Sequence, residues 1–245
     1  MIILWPIAGK GNRFKEEGYK ELKPFMKLNG KSMIEHAISS LSIEGDNYII
    51  ANSLDTFQIN HLNEIGEKYN LNLEVIQLNQ ETRGQAETTY LGLKGIKYEE
   101  NDELIVTNSD QYTPWDPKKF LKLAQQNLLS GVVTTFKHQN FQLNQVSPYS
   151  HVRLNKENFA VEFAEKKAIS NHSLNGIFYW KKIKYFIEST EDLLAKSLPS
   201  EMWLSLTFNY LINKEHKITI YQMKEKEFYS LGTPEDVNKN ISFLT

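Results

Sequence analysis

Residues 2–13 read IILWPIAGKGNR, six apolar residues that break into a loop with glycines at positions 9 and 11. An unbroken apolar run of that length, ended by Ala8-Gly9, has the pattern of a strand buried on both faces. Strands of that kind belong to parallel sheets, whose faces are covered by crossover helices, so a helix should follow. Residues 32–41 supply one, with Met33, Ile34, Ala37, Ile38 and Leu41 at helical spacing. The alternation continues. Residues 48–51, 73–78 and 104–107 have strand patterns, and residues 58–69, 85–94 and 118–127 have helical ones. In the first of these helices Ile59, Leu62, Ile65 and Tyr69 share a face. The β-α-β-α order predicts an α/β fold: a Rossmann-like domain on a central, mostly parallel sheet with helices on both faces.

From residue 131 onward the pattern is less regular, which makes the expected sheet mixed. Strands are predicted at 131–137, 150–154, 161–165, 176–180 and 216–223, and helices at 185–189 and 203–213. A last helix should begin near Thr233, with Pro234 in its first turn and Glu235 and Asp236 at the positive end of its dipole. No Gly/Ser linker, repeat or low-complexity tail divides the chain. Residues 1–245 therefore read as one domain, long enough to bury a sizeable core.

The formal net charge is -2 and the pI about 6.3, so no global basic field favours nucleic acid or an anionic membrane. A phosphate-rich ligand would have to be met by local cations. The absence of cysteine removes disulfides, thiolate nucleophiles and Cys-based zinc sites, and fits the cytoplasm. Residues 1–7 have no basic leader region, and no stretch approaches the roughly 20 apolar residues of a membrane span. The six histidines show no metal-ligand spacing. Nothing in the sequence specifies an oligomeric state.

Five motifs carry chemistry. The first is Ala8-Gly9-Lys10-Gly11-Asn12-Arg13, followed ten positions after Arg13 by Lys23-Pro24 and then by Gly30-Lys31-Ser32. Glycines after a strand let backbone N–H groups approach phosphate oxygens, and ligands of open α/β sheets bind at that end of the strands. The loop lacks the third glycine of a dinucleotide fingerprint and the Gly-Lys-Ser/Thr of a P-loop. The other four are Gln77 to Ala86 around Gly84, Asn108-Ser109-Asp110, Glu165-Lys166-Lys167 with Asn175-Gly176, and Ser230-Leu231-Gly232-Thr233-Pro234-Glu235-Asp236.

The order Ala-Gly-x-Gly-x-Arg, Lys-Pro, apolar run, Gly-Lys, helix resembles the sugar-phosphate nucleotidyltransferases, or nucleotide-sugar pyrophosphorylases, of glycosyltransferase-A-like fold. The likeness runs from Ile2 to about Asn238. It implies a Mg²⁺-dependent enzyme that condenses a nucleoside triphosphate with a sugar phosphate, giving an NDP-sugar and pyrophosphate, with a role in polysaccharide assembly. By this resemblance Arg13 clamps the β- and γ-phosphates and Lys23 sits on the α-phosphate. Ala8, Gly9, Lys10, Gly11, Gln77, Gly84 and Asn108 hold the nucleotide, Gln77 by reading the base edge. Asp110 binds the metal. Glu165 meets sugar hydroxyls, Lys166 or Lys167 holds the acceptor phosphate, and Asn175 and Gly176 line the acceptor pocket.

The chemistry agrees with that assignment. Attack of one phosphate on another is opposed by like charge, so catalysis needs cations and in-line positioning more than a general base. One departure stands out. Many members carry a second metal-binding aspartate two residues before the glycine of Gly232-Thr233-Pro234, and here that position is Ser230. Either the metal leans on Asp110 and phosphates, or another carboxylate substitutes. Asp236 is available, though its place at a helix start suits a dipole role. Other readings of the same scaffold are a cytidylyltransferase for phosphocholine or a polyol phosphate, a glycosyltransferase, and a non-catalytic nucleotide- or sugar-binding domain. A choline enzyme would show an aromatic cage, for which Tyr149, Phe178, Tyr179, Trp180 and Trp203 are candidates.

Overall fold

The computed structural model describes residues 1–9, 11–138, 141–196 and 201–245. Along the chain run β1 (Ile2–Pro6), α1 (Asn12–Glu16), β2 (Lys27–Leu28), β3 (Lys31–Ser32), α2 (Met33–Leu41), β4 (Asp46–Ala51), α3 (Thr56–Tyr69) and β5 (Leu73–Gln77). There follow α4 (Gln85–Leu93), β6 (Leu104–Thr107), β7 (Gln111–Tyr112), α5 (Lys118–Ala124), β8 (Gly131–Lys137), β9 (His151–Leu154) and β10 (Ala160–Ala164). The last are β11 (His172–Trp180), α6 (Ile183–Ala195), α7 (Leu204–Asn213), β12 (Ile218–Gln222), β13 (Tyr229–Ser230) and α8 (Pro234–Asn240).

The main sheet has the order β10-β9-β11-β6-β1-β4-β5, with β8 also paired to β11 and β12 to β8. Strands β5, β4, β1 and β6 are mutually parallel, as expected of the first half. Strand β11 runs antiparallel to β6 and turns the sheet mixed. Alternate residues of β1 feed two cores. Ile3 and Trp5 pack with Ile34, Ile38, Leu62 and Phe120 of α2, α3 and α5. Leu4 packs on the other face with Leu93, Phe186 and Phe208 of α4, α6 and α7. The sheet is thus covered on both sides, which is why its central parallel strands β1 and β6 are buried along their whole length.

Local signals fix the helix ends. Ser32 caps α2 by accepting from Glu35 N at 3.3 Å. Asp55 and Gln58 form a capping box at the start of α3. Thr233 caps α8 with Pro234 in its first turn, as the sequence predicts. Strand β11 begins at His172 rather than 176, because its register shifts between Leu174 and Phe178, around Gly176. Helix α6 is far longer than residues 185–189, because Ser189 and Thr190 are buried among its apolar residues and blur the period. No helix among the described residues is long and apolar enough to cross a membrane.

Fully buried His36 gives a pH prediction. Its Nε2 lies 2.7 Å from Leu28 O, and its Nδ1 has no hydrogen-bond partner among the described residues. Burial holds its pKa below 6.5, with nearby Lys31 acting the same way and the Leu28 and Glu35 interactions opposing. Between the folded pKa and 6.5 the unfolded chain binds more protons. Stability from this group is therefore full above 6.5 and falls as pH drops through that window. His36→Gln keeps an N–H donor but cannot gain the proton. Its melting temperature should change less between about pH 7.5 and about pH 5.5 than that of the wild type. An equal change in both proteins would refute the assignment.

Candidate active site

A cleft of about 650 Å³ opens at the carboxyl ends of β1, β4 and β6, where ligands of open α/β sheets bind. The β1–α1 loop forms one wall through Ala8, Gly9 and Gly11, and Arg13 of α1 is exposed along it. Lys10 lies outside the described residues. Asn52, just past β4, donates from Nδ2 to Ala8 O at 3.3 Å and joins that strand end to the loop.

Lys23 and Asp110 meet at the floor. Lys23 Nζ donates to Asp110 Oδ2 at 2.6 Å and to Gly232 O at 2.9 Å, and lies 5.1 Å from the Phe14 ring centroid. Their side chains are 18% and 29% exposed, so the pair is shielded but reachable from the cleft. Asp110 follows the buried strand β6, and Lys23 opens the turn of 3₁₀ helix Lys23–Phe25, where Pro24 sets the backbone. Two positions distant in sequence thus bring a cation and a carboxylate to one point.

The nucleotide motif is split. Gly84 and Asn108 line the cleft, and Gln85 Nε2 donates to Asn108 Oδ1 at 3.0 Å. Gln77 does not line it. It ends the edge strand β5, and its Oε1 accepts from Leu54 N at 2.8 Å. The base-edge role expected of Gln77 finds no support in this placement, because that amide is engaged on the β4–α3 connection. The polar residues lining the cleft on this side include Asn52, Glu81, Thr82, Arg83, Gln85 and Thr88.

The acceptor motif lies at the other end. Glu165 accepts hydrogen bonds from the hydroxyls of Ser150 and Ser205, the latter at 3.1 Å. Burial nonetheless raises its pKa above the usual carboxylate value, while the two hydroxyls and Lys166 pull it back. Lys166 lines the cleft and Lys167 does not. Lys166 has a left-handed backbone, φ 54°, and its Nζ lies 4.7 Å from the Trp203 ring centroid. Asn175 reaches the cleft wall, but its amide is turned inward: Thr134 Oγ1 donates to Oδ1, and Nδ2 donates to Met223 Sδ at 2.7 Å. Asn175 therefore shapes the wall through structure.

Glu201 and Trp203 line the cleft on either side of Met202, which pairs with the nucleotide turn. Met202 N donates to Arg83 O at 2.8 Å and Ala86 N donates to Met202 O at 3.0 Å. A Cβ at Gly84 would stand 2.6 Å from Met202 O, so glycine is what allows this seam. No local pattern announces such a pairing. Tyr149, Phe178 and Trp203 line the cleft together, whereas Tyr179 and Trp180 are core residues and belong to no cage. Among the described residues no three His, Asp or Glu side chains form a metal-holding group. The cleft therefore offers cations for several phosphates, one firm carboxylate at a strand end, and a separate polar and aromatic lobe.

The chain is similar in structure to a nucleoside-diphosphate-sugar pyrophosphorylase from Vibrio cholerae RC9, with a TM-score of 0.81, 21% identity, and coverage of 99% of this chain and 100% of that one. An inositol-1-phosphate CTP transferase from T. maritima superposes with a TM-score of 0.75 at 14% identity, over 99% and 94% of the two chains. A UDP-glucose pyrophosphorylase solved with UDP-glucose gives 0.75 at 19% identity, over 99% and 97%. At these identities the likeness carries the fold. No curated protein matches the sequence. The family described as Nucleotidyl transferase matches residues 2–245. Since that match runs almost end to end, the chain belongs to the nucleotidyl transferase family.

Proposed function

We propose that this chain condenses a nucleoside triphosphate with a sugar phosphate in the cytoplasm, forming an NDP-sugar for polysaccharide assembly and releasing pyrophosphate. The observation that supports it is the convergence of Arg13, Lys23, Asp110 and Lys166 on one cleft. A phosphate oxygen of the acceptor attacks the α-phosphorus, and the bond from that phosphorus to the bridging oxygen of the β-phosphate breaks. Lys23 offsets charge on the α-phosphate, Arg13 holds the departing pyrophosphate, and Lys166 holds the acceptor phosphate. Glu165, kept in place by Ser150 and Ser205, orients acceptor hydroxyls. The backbone at Ala8, Gly9 and Gly11, with Asn108 and Gly84, cradles the nucleotide. Asp110 is a hard oxygen donor, as Mg²⁺ requires, and would hold the ion together with phosphates and water. When bound, Mg²⁺ supplies further neutralisation of phosphate charge.

A second reading changes only the acceptor. Tyr149, Phe178 and Trp203 stand in one lobe with Glu165 and Glu201, and the Trp203 face already holds the Lys166 ammonium. That lobe would suit an ammonium-bearing acceptor such as phosphocholine. Pyrophosphate release with Mg²⁺ separates the readings. The four ribonucleoside triphosphates and dTTP are crossed with sugar 1-phosphates, polyol phosphates and phosphocholine. Release that needs one triphosphate and one sugar phosphate is the expected result. Release with phosphocholine alone replaces the first reading by the second, and release with no pair contradicts both.

A further inference from the structure

We propose that Asp236 supplies the second carboxylate of the Mg²⁺ site, in place of the aspartate that the resemblance expects where Ser230 stands. The inference rests on the reading of Asp110 as a metal ligand. The N-terminus of α8 does not use the Asp236 carboxylate as its cap, because Thr233 Oγ1 already accepts from Asp236 N at 3.1 Å. Asp236 Oδ2 instead accepts from Ser230 Oγ at 3.0 Å, and Ser230 Oγ accepts from Gly232 N at 3.3 Å. Ser230 thereby holds the Asp236 carboxylate beside Gly232.

Gly232 measures the gap. A Cβ built there would stand 3.4 Å from Ser230 Oγ, 3.6 Å from Asp110 Oδ2 and 3.6 Å from Asp236 Oδ2. Three oxygens from two separate segments thus surround one point at the cleft. The place already holds a cation, since Lys23 Nζ contacts both Asp110 Oδ2 and Gly232 O. Beside Asp110, Gln111 is 3% exposed, lines the same cleft, and leaves its side-chain carbonyl Oε1 without a hydrogen-bond partner among the described residues. Oxygen donors only, two of them carboxylates, are what a small divalent cation prefers. Ser230 acts as a positioning residue, holding through one hydrogen bond the carboxylate that it does not itself provide.

Mn²⁺ binding to the full chain, followed by the electron paramagnetic resonance of free Mn²⁺ with no nucleotide or acceptor present, tests this. Asp110→Asn and Asp236→Asn should each weaken binding at least about tenfold, the scale of losing one member of a metal's coordinating environment. Ser230→Asp in the Asp236→Asn background should restore it, which a merely structural role of Asp236 would not allow. Ser230→Asp alone should tighten binding, and decides the matter if Asp236→Asn does not fold. Loss with Asp110→Asn but none with Asp236→Asn overturns this inference and leaves the metal reading of Asp110 intact. Loss with neither overturns that reading as well. Failure of Ser230→Asp to restore or tighten binding also overturns the inference.

Discussion

Lys23→Ala should lower kcat by about 10²–10³-fold, the scale of removing one preorganised charge from a phosphoryl or acyl transfer centre. The ammonium is positioned by Asp110 Oδ2 at 2.6 Å and Gly232 O at 2.9 Å before any substrate arrives. On the proposed mechanism that preorganisation gives Lys23 its catalytic weight, since no reorganisation would be needed during the reaction. Lys23→Arg should recover little, because a planar guanidinium does not fit a point held between a carboxylate and a carbonyl. The fold should survive both changes, as the side chain is at the cleft rather than in a core. Steady-state pyrophosphate release and thermal melting together check this. A kcat within threefold of wild type (about 0.65 kcal/mol) would remove Lys23 from the chemistry.

The second large effect concerns Gly176. Its φ is +93°, and a Cβ there would meet Asn108 Nδ2 at 2.1 Å and Cγ at 2.5 Å. Gly176 O also accepts from Asn108 N at 3.0 Å, so the two backbones cannot easily part. Gly176→Ala combines a left-handed backbone strain with overpacking, for a loss of about 2–5 kcal/mol. In a chain of this size the melting temperature should fall on the order of 10 °C. Asn108 must move as well, which breaks its contact with Gln85 Nε2. KM for the nucleotide should therefore rise in whatever fraction stays folded. An unchanged melting temperature would show that Asn108 has another place to go.

Much of the first half was legible because its physics is local. Strands β1 and β6 are buried on both faces, so their sequences are apolar save for Thr107 at the end of β6. The helices α2 and α3 carry their own caps and periodicity. Short pieces left no period to read. Helix α1 has five residues, and β2, β3, β7 and β13 have two each. The loop glycines, Arg13, Lys23, Asp110, Glu165, Lys166 and Gly176 could be singled out because they match the family's motifs in order and spacing, and the fold lines one cleft with them. Gln77 matches as well, at the end of β5, yet its side chain is drawn to Leu54 N by the neighbouring connection. Strand-end location alone does not say which way a side chain faces. Glu201 and Asp236 reach the cleft through pairings between distant segments: Met202 with the 83–86 turn, and Ser230 with α8. Such pairings exist only once the chain is folded.

The central claim is that this cleft transfers a nucleotidyl group to a phosphorylated acceptor. Phosphorus NMR of a complete reaction tests it most directly, by following triphosphate, acceptor and products in one sample. Equal amounts of pyrophosphate and of a new nucleotide-linked diphosphate are expected, both formed at least about a hundredfold more slowly with Lys23→Ala. Triphosphate consumed without incorporation of the acceptor, or the same products from Lys23→Ala at the wild-type rate, would contradict it.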